Sequence, residues 1–293
     1  QAEDGIRDRS PSRGLGDVYK RQPKGVMLTH RNLLAMTACY FIDVDDVAAQ
    51  DSIVYAAPMS HGAGMYNFAF VARAVRHVVP ASGGFDPAEL VALSRSTGRL
   101  CLFAAPTMVK RLVDQLAASG EASDGFKTIV YGGGPMYVAD IQRALAVMGP
   151  RFVQIYGQGE SPMTITALGR DHLIDRDHPH WAARIASVGV AQTLVEVSVV
   201  GPDGRPLPLG ETGEVVVRGD TVMAGYWRNP DASAETLRGG WLWTGDMGAL
   251  DADGFLTLKD RSKDLIISGG SNIYPREVEE VLLEHPGVRE VSV

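Results

Sequence analysis

An acidic and a basic residue lie fifteen positions apart in the most informative stretch of the sequence, residues 241–280. Asp246 ends the run Trp-Leu-Trp-Thr-Gly-Asp, an Asp/Gly turn follows at 251–254, and Arg261 lies in Lys-Asp-Arg-Ser-Lys-Asp. Two strands joined by such a turn can bring both side chains to the same end of a sheet. There a carboxylate that accepts hydroxyl protons and a guanidinium that donates could bind a diol from both sides.

Other residues capable of chemistry follow strand-like runs earlier in the chain. His61 comes after Ala-Pro-Met-Ser, three glycines follow Tyr131, and Glu160 ends Ile-Tyr-Gly-Gln-Gly-Glu. Glycines expose backbone to a ligand and permit positive φ, and the ring of Tyr156 offers a flat stacking surface. The carboxylate of Glu160 is a hard oxygen ligand suited to Mg²⁺ bound to a triphosphate.

Each of these residues also has a structural interpretation. His61 could be a packed or surface histidine, the three glycines a strand-to-helix turn, and Glu160 a carboxylate at the start of a helix. The tryptophans at 227, 241 and 243 are expected to belong to the core.

The ordered run from Trp241 to Glu280 resembles the hinge region of the adenylate-forming family, which includes acyl-CoA synthetases, luciferases and the adenylation domains of peptide synthetases. The resemblance extends over nearly all of residues 23–293. It implies that ATP activates a carboxylic acid as acyl-AMP, which then reacts with coenzyme A, and that Mg²⁺ assists. Peptide-synthetase domains usually bind the substrate amino group through an Asp just after the position of His61. This chain has Gly62-Ala63-Gly64 there, so the resemblance favours a fatty or aromatic acid over an amino acid.

The resemblance also implies roles for single residues. Lys24, at the end of a phosphate loop, would contact the β- and γ-phosphates, His61 would line the acid site, and Glu160 would bind Mg²⁺; these three are the expected catalytic residues. Tyr156 would stack on adenine. The full set expected to bind ATP or AMP is Gly132, Gly133, Gly134, Pro135, Tyr156, Gly157, Gln158, Gly159, Asp246 and Arg261.

The chain departs from the family at Gly159, where a Thr usually donates to the α-phosphate. The glycine leaves that contact to backbone N–H groups or widens the acid pocket. Methionines at 59, 108 and 163 fit an adaptable apolar pocket, although methionine is also a common core residue.

Two further positions take their roles from the resemblance. Lys263 would be the hinge about which a small C-terminal domain rotates between adenylation and thioester formation. Gly269 and Gly270 would then approach the pantetheine of coenzyme A. The alternative is that Ser-Gly-Gly forms a flexible turn between a strand and a helix.

Apolar strand-like runs that alternate with helical patterns must position these residues. The predicted strands are Ser52–Ala56, Leu100–Ala104, Lys127–Tyr131, Phe152–Tyr156 and Met163–Ala167. The predicted helices are His30–Val44, Ala63–Val75, Pro87–Ser96, Pro106–Ala118 and Tyr137–Met148. This order is typical of an α/β fold with a mainly parallel sheet and flanking helices. Ligands bind such sheets at the carboxyl ends of the strands.

The pattern changes twice towards the C-terminus. Short strands and turns between 185 and 262, including Val195–Val200 and Gly213–Arg218, predict a small antiparallel β-barrel or sheet. A short strand and a helix from Pro275 to about Glu284 predict the start of a small α+β C-terminal domain. We therefore expect domains at 23–184, 185–262 and 263–293. Residues 169–184, with three histidines, are expected to be a solvated surface loop.

Composition argues against several classes of function. The 293 residues are 45% hydrophobic, and the net charge of −7 argues against a nucleic-acid partner. Cys39 and Cys101 form no metal or disulfide pattern, which favours a cytoplasmic location. No apolar run is long enough to span a membrane. The oligomeric state is not readable.

Both ends of the sequence carry expectations of their own. Residues 1–22 lack periodicity, and Asp17–Gln22 resembles a translated sequencing adapter, so we expect this segment to be non-native. The body of the phosphate loop and a late family lysine would lie outside the chain, so the fragment itself is expected to be inactive. The alternatives are another adenylating ligase, of carrier-protein-loading or luciferase-like type, and a nucleotide-binding module without catalysis.

Overall fold

A mainly parallel sheet forms the larger part of the structure. The computed structural model describes residues 24–261, 266–268, 271–273, 275–283, 285, 287, 288 and 291, with backbone alone at some positions near the C-terminus, Arg261 among them. The strands of this sheet are β1 (Ser52–Val54), β2 (Arg76–Val78), β3 (Leu100–Ala104), β4 (Phe126–Tyr131), β5 (Phe152–Gln158), β6 (Ser161–Leu168) and β7 (Val190–Ala191). Their spatial order is β2-β1-β3-β4-β5-β6-β7. Strands β1 to β5 run parallel, whereas β6 and β7 pair antiparallel with their neighbours.

Helices cover both faces of the sheet. They are α1 (His30–Cys39, continued by a π-helical turn, Tyr40–Val44), α2 (Gly62–Met65), α3 (Asn67–Ala72), α4 (Pro87–Thr97), α5 (Pro106–Ser119) and α6 (Val138–Met148). The central strand β3 shows why both faces need cover. Leu100 and Leu102 pack in a core cluster with α4, α5 and α6, whereas Cys101 and Phe103 pack in a second cluster with α1, α2 and α3. A strand buried on both sides reads as a continuous apolar run.

A second, antiparallel sheet follows in the sequence. It contains β8 (Val195–Val200), β9 (Gly213–Gly219), β10 (Leu237–Arg238), β11 (Trp241–Leu250) and β12 (Leu256–Arg261). The spatial order is β10-β11-β9-β8, and β12 pairs with β11. A third apolar cluster joins the two sheets, since it combines Tyr156 and Ile165 of the first with Val215, Val217 and Leu242 of the second. The predicted order of a parallel sheet followed by a small antiparallel one is confirmed.

Three details differ from the sequence-based expectation. The stretch 169–184 is not a plain loop, because it contains α7 (Arg170–Ile174), which buries Leu173, and the start of α8 (Trp181–Ala186), which buries Ile185. Strand β2 was missed because it is an edge strand with two exposed residues, Arg76 and His77. A further helix, α9 (Pro230–Thr236), was also missed because it buries no residue and so carries no apolar period.

The C-terminal part is described in pieces. A hairpin of β13 (Ile266–Ser268) and β14 (Ser271–Ile273) precedes α10 (Pro275–Leu283), in agreement with the strand and helix predicted there. Tyr137 Oη donates to Glu279 Oε2 at 3.0 Å and so joins α10 to the segment before α6. The predicted hinge, Lys263, and the predicted coenzyme A contacts, Gly269 and Gly270, lie outside the described residues. The three domain boundaries remain predictions. Among the described helices, none has the length and apolarity needed to cross a bilayer.

Candidate functional site

A cleft of about 880 Å³ opens where the parallel strands end and the antiparallel sheet begins. The loops after β1, β4 and β5 contribute His61, Gly133 and Glu160, and the N-terminal segment contributes Lys24. The carboxyl ends of the strands therefore meet at this cleft, where ligands of α/β sheets bind. The residues of the predicted site that line it are Lys24, His61, Gly133, Gly157, Gln158, Gly159 and Glu160.

Lys24 reaches the cleft because its segment pairs with one near residue 226. Met27 N donates to Gly225 O at 2.9 Å, Trp227 N donates to Gly25 O at 2.7 Å, and Val26 bridges to Tyr226. The Lys24 ammonium lies 4.7 Å from the centre of the Tyr226 ring. A pairing between segments this far apart in sequence has no local signature, so only the fold reveals it.

Glu160 lies in the turn between β5 and β6 and accepts a hydrogen bond from Tyr226 Oη, 2.5 Å from its Oε1. Burial raises the pKa of Tyr226 to about 12, and the Glu160 carboxylate adds to the shift, so the phenol stays protonated and donates at neutral pH. The sequence does not predict Tyr226 as a site residue, because its contact with Glu160 joins positions 66 residues apart.

Asp246 is held beside Gln158 and Tyr156. Its Oδ2 accepts from Tyr156 Oη at 2.6 Å and from Gln158 Nε2 at 2.7 Å. The side chains of Asp246 and Tyr156 are 9% and 8% exposed. Asp246 of β11 pairs with Arg261 of β12, as the sequence predicts for two strands joined by a turn. The Arg261 side chain lies outside the described part of the structure. The register of β11 shifts on both edges around Asp246, and such bulges re-aim side chains.

The glycines of the predicted nucleotide site have different structural reasons. A Cβ on Gly132 would lie 2.5 Å from Ile155 O, and one on Gly157 would lie 2.6 Å from Met163 N. Both positions therefore need glycine for backbone packing. Gly133 has φ +79°, which favours glycine. Gly159 has room, because a Cβ there would meet Val26 Cγ2 at 3.7 Å, an ordinary contact.

An apolar recess lies beside His61. It is formed by Gly62, Phe103 and Met163, and a Cβ on Gly62 would come within 3.2 Å of Met163 Cε. Met163 has φ +63°, a strained conformation for a long side chain. The buried Gln192 holds it there, because its Nε2 donates to Met163 O at 2.9 Å. Of the methionines assigned to an acid pocket, Met163 lines the cleft, whereas Met59 is half exposed.

Two tryptophans are not where the sequence placed them. Trp227 is 62% exposed, so its assignment to the core is wrong. Trp243 lines the cleft, and the Arg238 guanidinium lies 3.8 Å from its ring centre. An aromatic residue that stacks under an arginine can stay partly solvated without loss of packing.

The donor set fits a magnesium ion that arrives with a nucleotide. Throughout the described ranges, no three His, Cys, Asp or Glu side chains are grouped to hold a metal ion. Mg²⁺ is commonly bound by one or two carboxylates, several waters and substrate phosphates rather than by an all-protein cage. Glu160, at the cleft beside Lys24, supplies one such carboxylate.

Comparisons with known proteins identify the family. A family model described as AMP-binding enzyme matches residues 22–227. A feruloyl-CoA synthase from Amycolatopsis sp is 36% identical over 272 residues, which cover 93% of this chain and 53% of that protein. The chain thus spans about half the length of the curated relatives it matches.

Solved structures give the same result. The amide bond synthetase McbA from Marinactinospora thermotolerans superimposes with a TM-score of 0.82 at 33% identity, over 92% of this chain and 53% of that one. The o-succinylbenzoate coenzyme A synthetase (MenE) from Bacillus subtilis, in complex with ATP and magnesium ion, gives a TM-score of 0.80 at 30% identity, with the same coverages. The family model covers most of the chain and the architecture agrees, so the chain belongs to the AMP-binding enzyme family.

Proposed function

We propose that this chain forms the acid- and nucleotide-binding part of an AMP-forming acid–thiol ligase. The acid carboxylate attacks the α-phosphorus of ATP, the bond to the β-phosphate breaks, and pyrophosphate leaves. The thiol of coenzyme A then attacks the acyl carbon, and AMP leaves. The single observation that carries the proposal is that Lys24, His61 and Glu160, which are far apart in the sequence, line one cleft.

The chemistry requires mainly that two anions be brought together and that developing negative charge be neutralised. Lys24 supplies a positive charge to the β- and γ-phosphates. Glu160 would hold Mg²⁺, which would supply further positive charge to the phosphates. Asp246 accepts hydrogen bonds from the ribose hydroxyls, and Arg261, its partner across the ladder, donates from the other strand.

The base of the nucleotide would lie against Tyr156 and the glycine-rich turn 132–135. Tyr156 contributes here through its hydroxyl as well, because the hydrogen bond to Oδ2 orients the Asp246 carboxylate. Glycine at position 159 lets the α-phosphate approach backbone N–H groups. These groups would donate in place of the threonine hydroxyl that is usual in the family. For the second half-reaction, we propose that Lys263 is the hinge and that Gly269 and Gly270 contact coenzyme A.

The substrate is proposed to be a fatty or aromatic acid. The recess formed by Gly62, Phe103 and Met163 is apolar, and the loop that follows His61 carries Gly62-Ala63-Gly64 rather than an acidic residue. An α-ammonium group would therefore find no counter-ion on this loop. A feruloyl-CoA synthase among the relatives favours an aromatic acid as the first to be tested.

A second acceptor class has specific support. The similar structure McbA is named an amide bond synthetase, so an amine rather than a thiol is an alternative acceptor for the activated acyl group. Transfer assays with coenzyme A and with simple amines, each after adenylation of the same acid, distinguish the two.

ATP–pyrophosphate exchange tests the proposed activation step. The assay uses a protein that joins this chain to the segments its longer relatives carry, with a panel of fatty, aromatic and amino acids. We expect exchange with a fatty or aromatic acid, whereas this chain alone is expected to bind nucleotide without exchange. Exchange with amino acids only would overturn the substrate class, and no exchange with any acid would overturn the function.

A further inference from the structure

Tyr226 contacts two residues of opposite charge on one wall of the cleft. Its hydroxyl donates to Glu160 Oε1 at 2.5 Å, and the Lys24 ammonium lies 4.7 Å from the centre of its ring. The side chain is only 5% exposed, so its position is set by the fold. One buried side chain thus joins the proposed phosphate contact to the proposed magnesium ligand.

Several backbone contacts fix Tyr226 itself. Its own N–H donates to Ser233 Oγ at 2.8 Å, on α9. Its two neighbours pair with the segment that carries Lys24, through Gly225 O and Trp227 N. Tyr226 and the segment that carries Lys24 are therefore held in one backbone pairing, and the phenol links them to Glu160.

We propose that Tyr226 is a positioning residue for Mg²⁺-ATP. The hydrogen bond engages Oε1 of Glu160 and fixes the plane of the carboxylate before nucleotide arrives. The ring face attracts the Lys24 ammonium and holds it near the same point of the cleft. Both charges are then oriented towards one triphosphate, which lowers the ordering cost of binding. The inference rests on the proposed function and adds a residue to it.

The two contributions of Tyr226 can be separated by substitution. Tyr226→Phe removes the hydroxyl and keeps the ring, so it tests the link to Glu160. Tyr226→Leu removes both and adds a test of the link to Lys24. Tyr55→Phe is a matched control, because it deletes another hydroxyl of a buried tyrosine, which bonds His77 Nδ1 at 2.7 Å and does not line the cleft.

The experiment measures the Kd of the whole chain for ATP by calorimetry, with Mg²⁺ and with EDTA. We expect the parent to bind more tightly with Mg²⁺. Tyr226→Phe is expected to reduce the gain in ATP affinity from Mg²⁺ fivefold or more, while the Kd measured in EDTA changes less than twofold. Tyr226→Leu is expected to weaken binding in EDTA as well, and Tyr55→Phe to match the parent.

A double variant tests whether Tyr226 acts through Glu160. Glu160→Gln keeps the side-chain shape and is expected to abolish the Mg²⁺ enhancement, and Tyr226→Phe should then cause no further loss. Additive losses, or a Tyr226→Phe variant that keeps the parental enhancement, would overturn the inference and leave the proposed function standing. A parent chain that binds neither ATP nor AMP would overturn the proposed function, and the inference would fall with it.

Discussion

The hydroxyl of Tyr156 donates a hydrogen bond to Oδ2 of Asp246 at 2.6 Å, although the two residues are 90 positions apart. Tyr156 lies on the last strand of the parallel run, and Asp246 lies on the central part of the antiparallel sheet. The contact therefore joins the two sheets next to Gln158, which lines the cleft and also donates to Asp246. The orientation of the Asp246 carboxylate, which is proposed to bind the ribose, therefore depends on both sheets.

Replacement of Asp246 tests its proposed role in ribose binding. A hydrogen bond to a charged group contributes about 1.5–3 kcal/mol, so we expect Asp246→Ala to weaken AMP binding by about tenfold or more. Calorimetry with AMP provides the measurement. Asp114→Asn, which alters an exposed carboxylate on α5, should bind AMP like the parent. Equal AMP affinity for Asp246→Ala and the parent would contradict the ribose contact.

Introduction of threonine at Gly159 tests the departure from the family pattern. The backbone there is not strained, and a Cβ meets only an ordinary contact at 3.7 Å, so we expect Gly159→Thr to fold normally. The new hydroxyl should tighten ATP binding several-fold, since a net hydrogen bond contributes about 1 kcal/mol. Gly157→Thr is the contrasting control, because a Cβ there would lie 2.6 Å from backbone, and it should lower the Tm. Weaker ATP binding by a well-folded Gly159→Thr would argue that this position needs glycine.

A smaller residue at 163 tests the acid recess. Met163→Ala removes the side chain that faces Gly62, and we expect exchange activity to shift towards bulkier acids. The truncation should also cost about 2–5 kcal/mol of unfolding free energy, because Met163 is buried. Relative kcat/KM for a series of acids of increasing width measures the shift, and Met108→Ala, on α5 outside the cleft lining, serves as control. An unchanged order of preference would place acid selection elsewhere.

The amino ends of the parallel strands carry a group of charges that should make stability depend on pH. Lys127 Nζ lies 2.7 Å from Asp51 Oδ2 and 3.0 Å from Asp46 Oδ1. Hydrogen bonding and charge from Lys127 lower the pKa of Asp46. Burial alone would raise the pKa of Asp51, but hydrogen bonds from Lys127, Ala48 N and Arg99 outweigh it and lower that pKa too.

The sign of the pH effect follows from these lowered pKa values. A carboxyl with a lower pKa in the folded state stabilises the fold fully above its unfolded pKa, about 3.9, and loses that contribution as pH falls through the folded pKa. We therefore expect the unfolding free energy to fall as the pH is lowered below about 4. Lys127→Met should lower stability at pH 7 by less than the roughly 3–5 kcal/mol typical of a buried charge left unpaired, because Asp51 keeps the Arg99 guanidinium as a partner. Urea unfolding between pH 3 and 7 measures both the pH dependence and the effect of Lys127→Met. If the unfolding free energies of Lys127→Met and the parent differ by the same amount at every pH, the assignment of these charges is wrong.

Sequence patterns predicted most of the framework, because local signals were strong. Strand β3 was predicted with its observed bounds since an apolar run lies between a turn and a proline. The edge strand β2 and the helix α9 bury few side chains, so no periodic pattern marked them. The short helices in 169–184 each bury one apolar residue, which is too little to distinguish them from a loop.

The candidate site was only partly readable for a different reason. Lys24, His61 and Glu160 follow recognisable strands or motifs, so each could be named before the fold was seen. Tyr226 and Trp243 reach the cleft through pairings between distant segments, and nothing in their own neighbourhoods indicates this. At Gly132 and Gly157 the structure adds a reason for glycine that the sequence does not show, since a Cβ there would clash with a neighbouring backbone.

The amide of Asn32 donates to the carbonyls of Asp220 and Val222, which follow 188 and 190 positions later, beside the pairing that brings Lys24 to the cleft. Such contacts between remote segments pay a large loop-closure entropy and form late in folding. During synthesis the wall that carries Lys24 cannot close until the ribosome has released the chain beyond Trp227. The parallel sheet can form before that point, so an early folding intermediate would have an ordered sheet but lack the part of the cleft that carries Lys24.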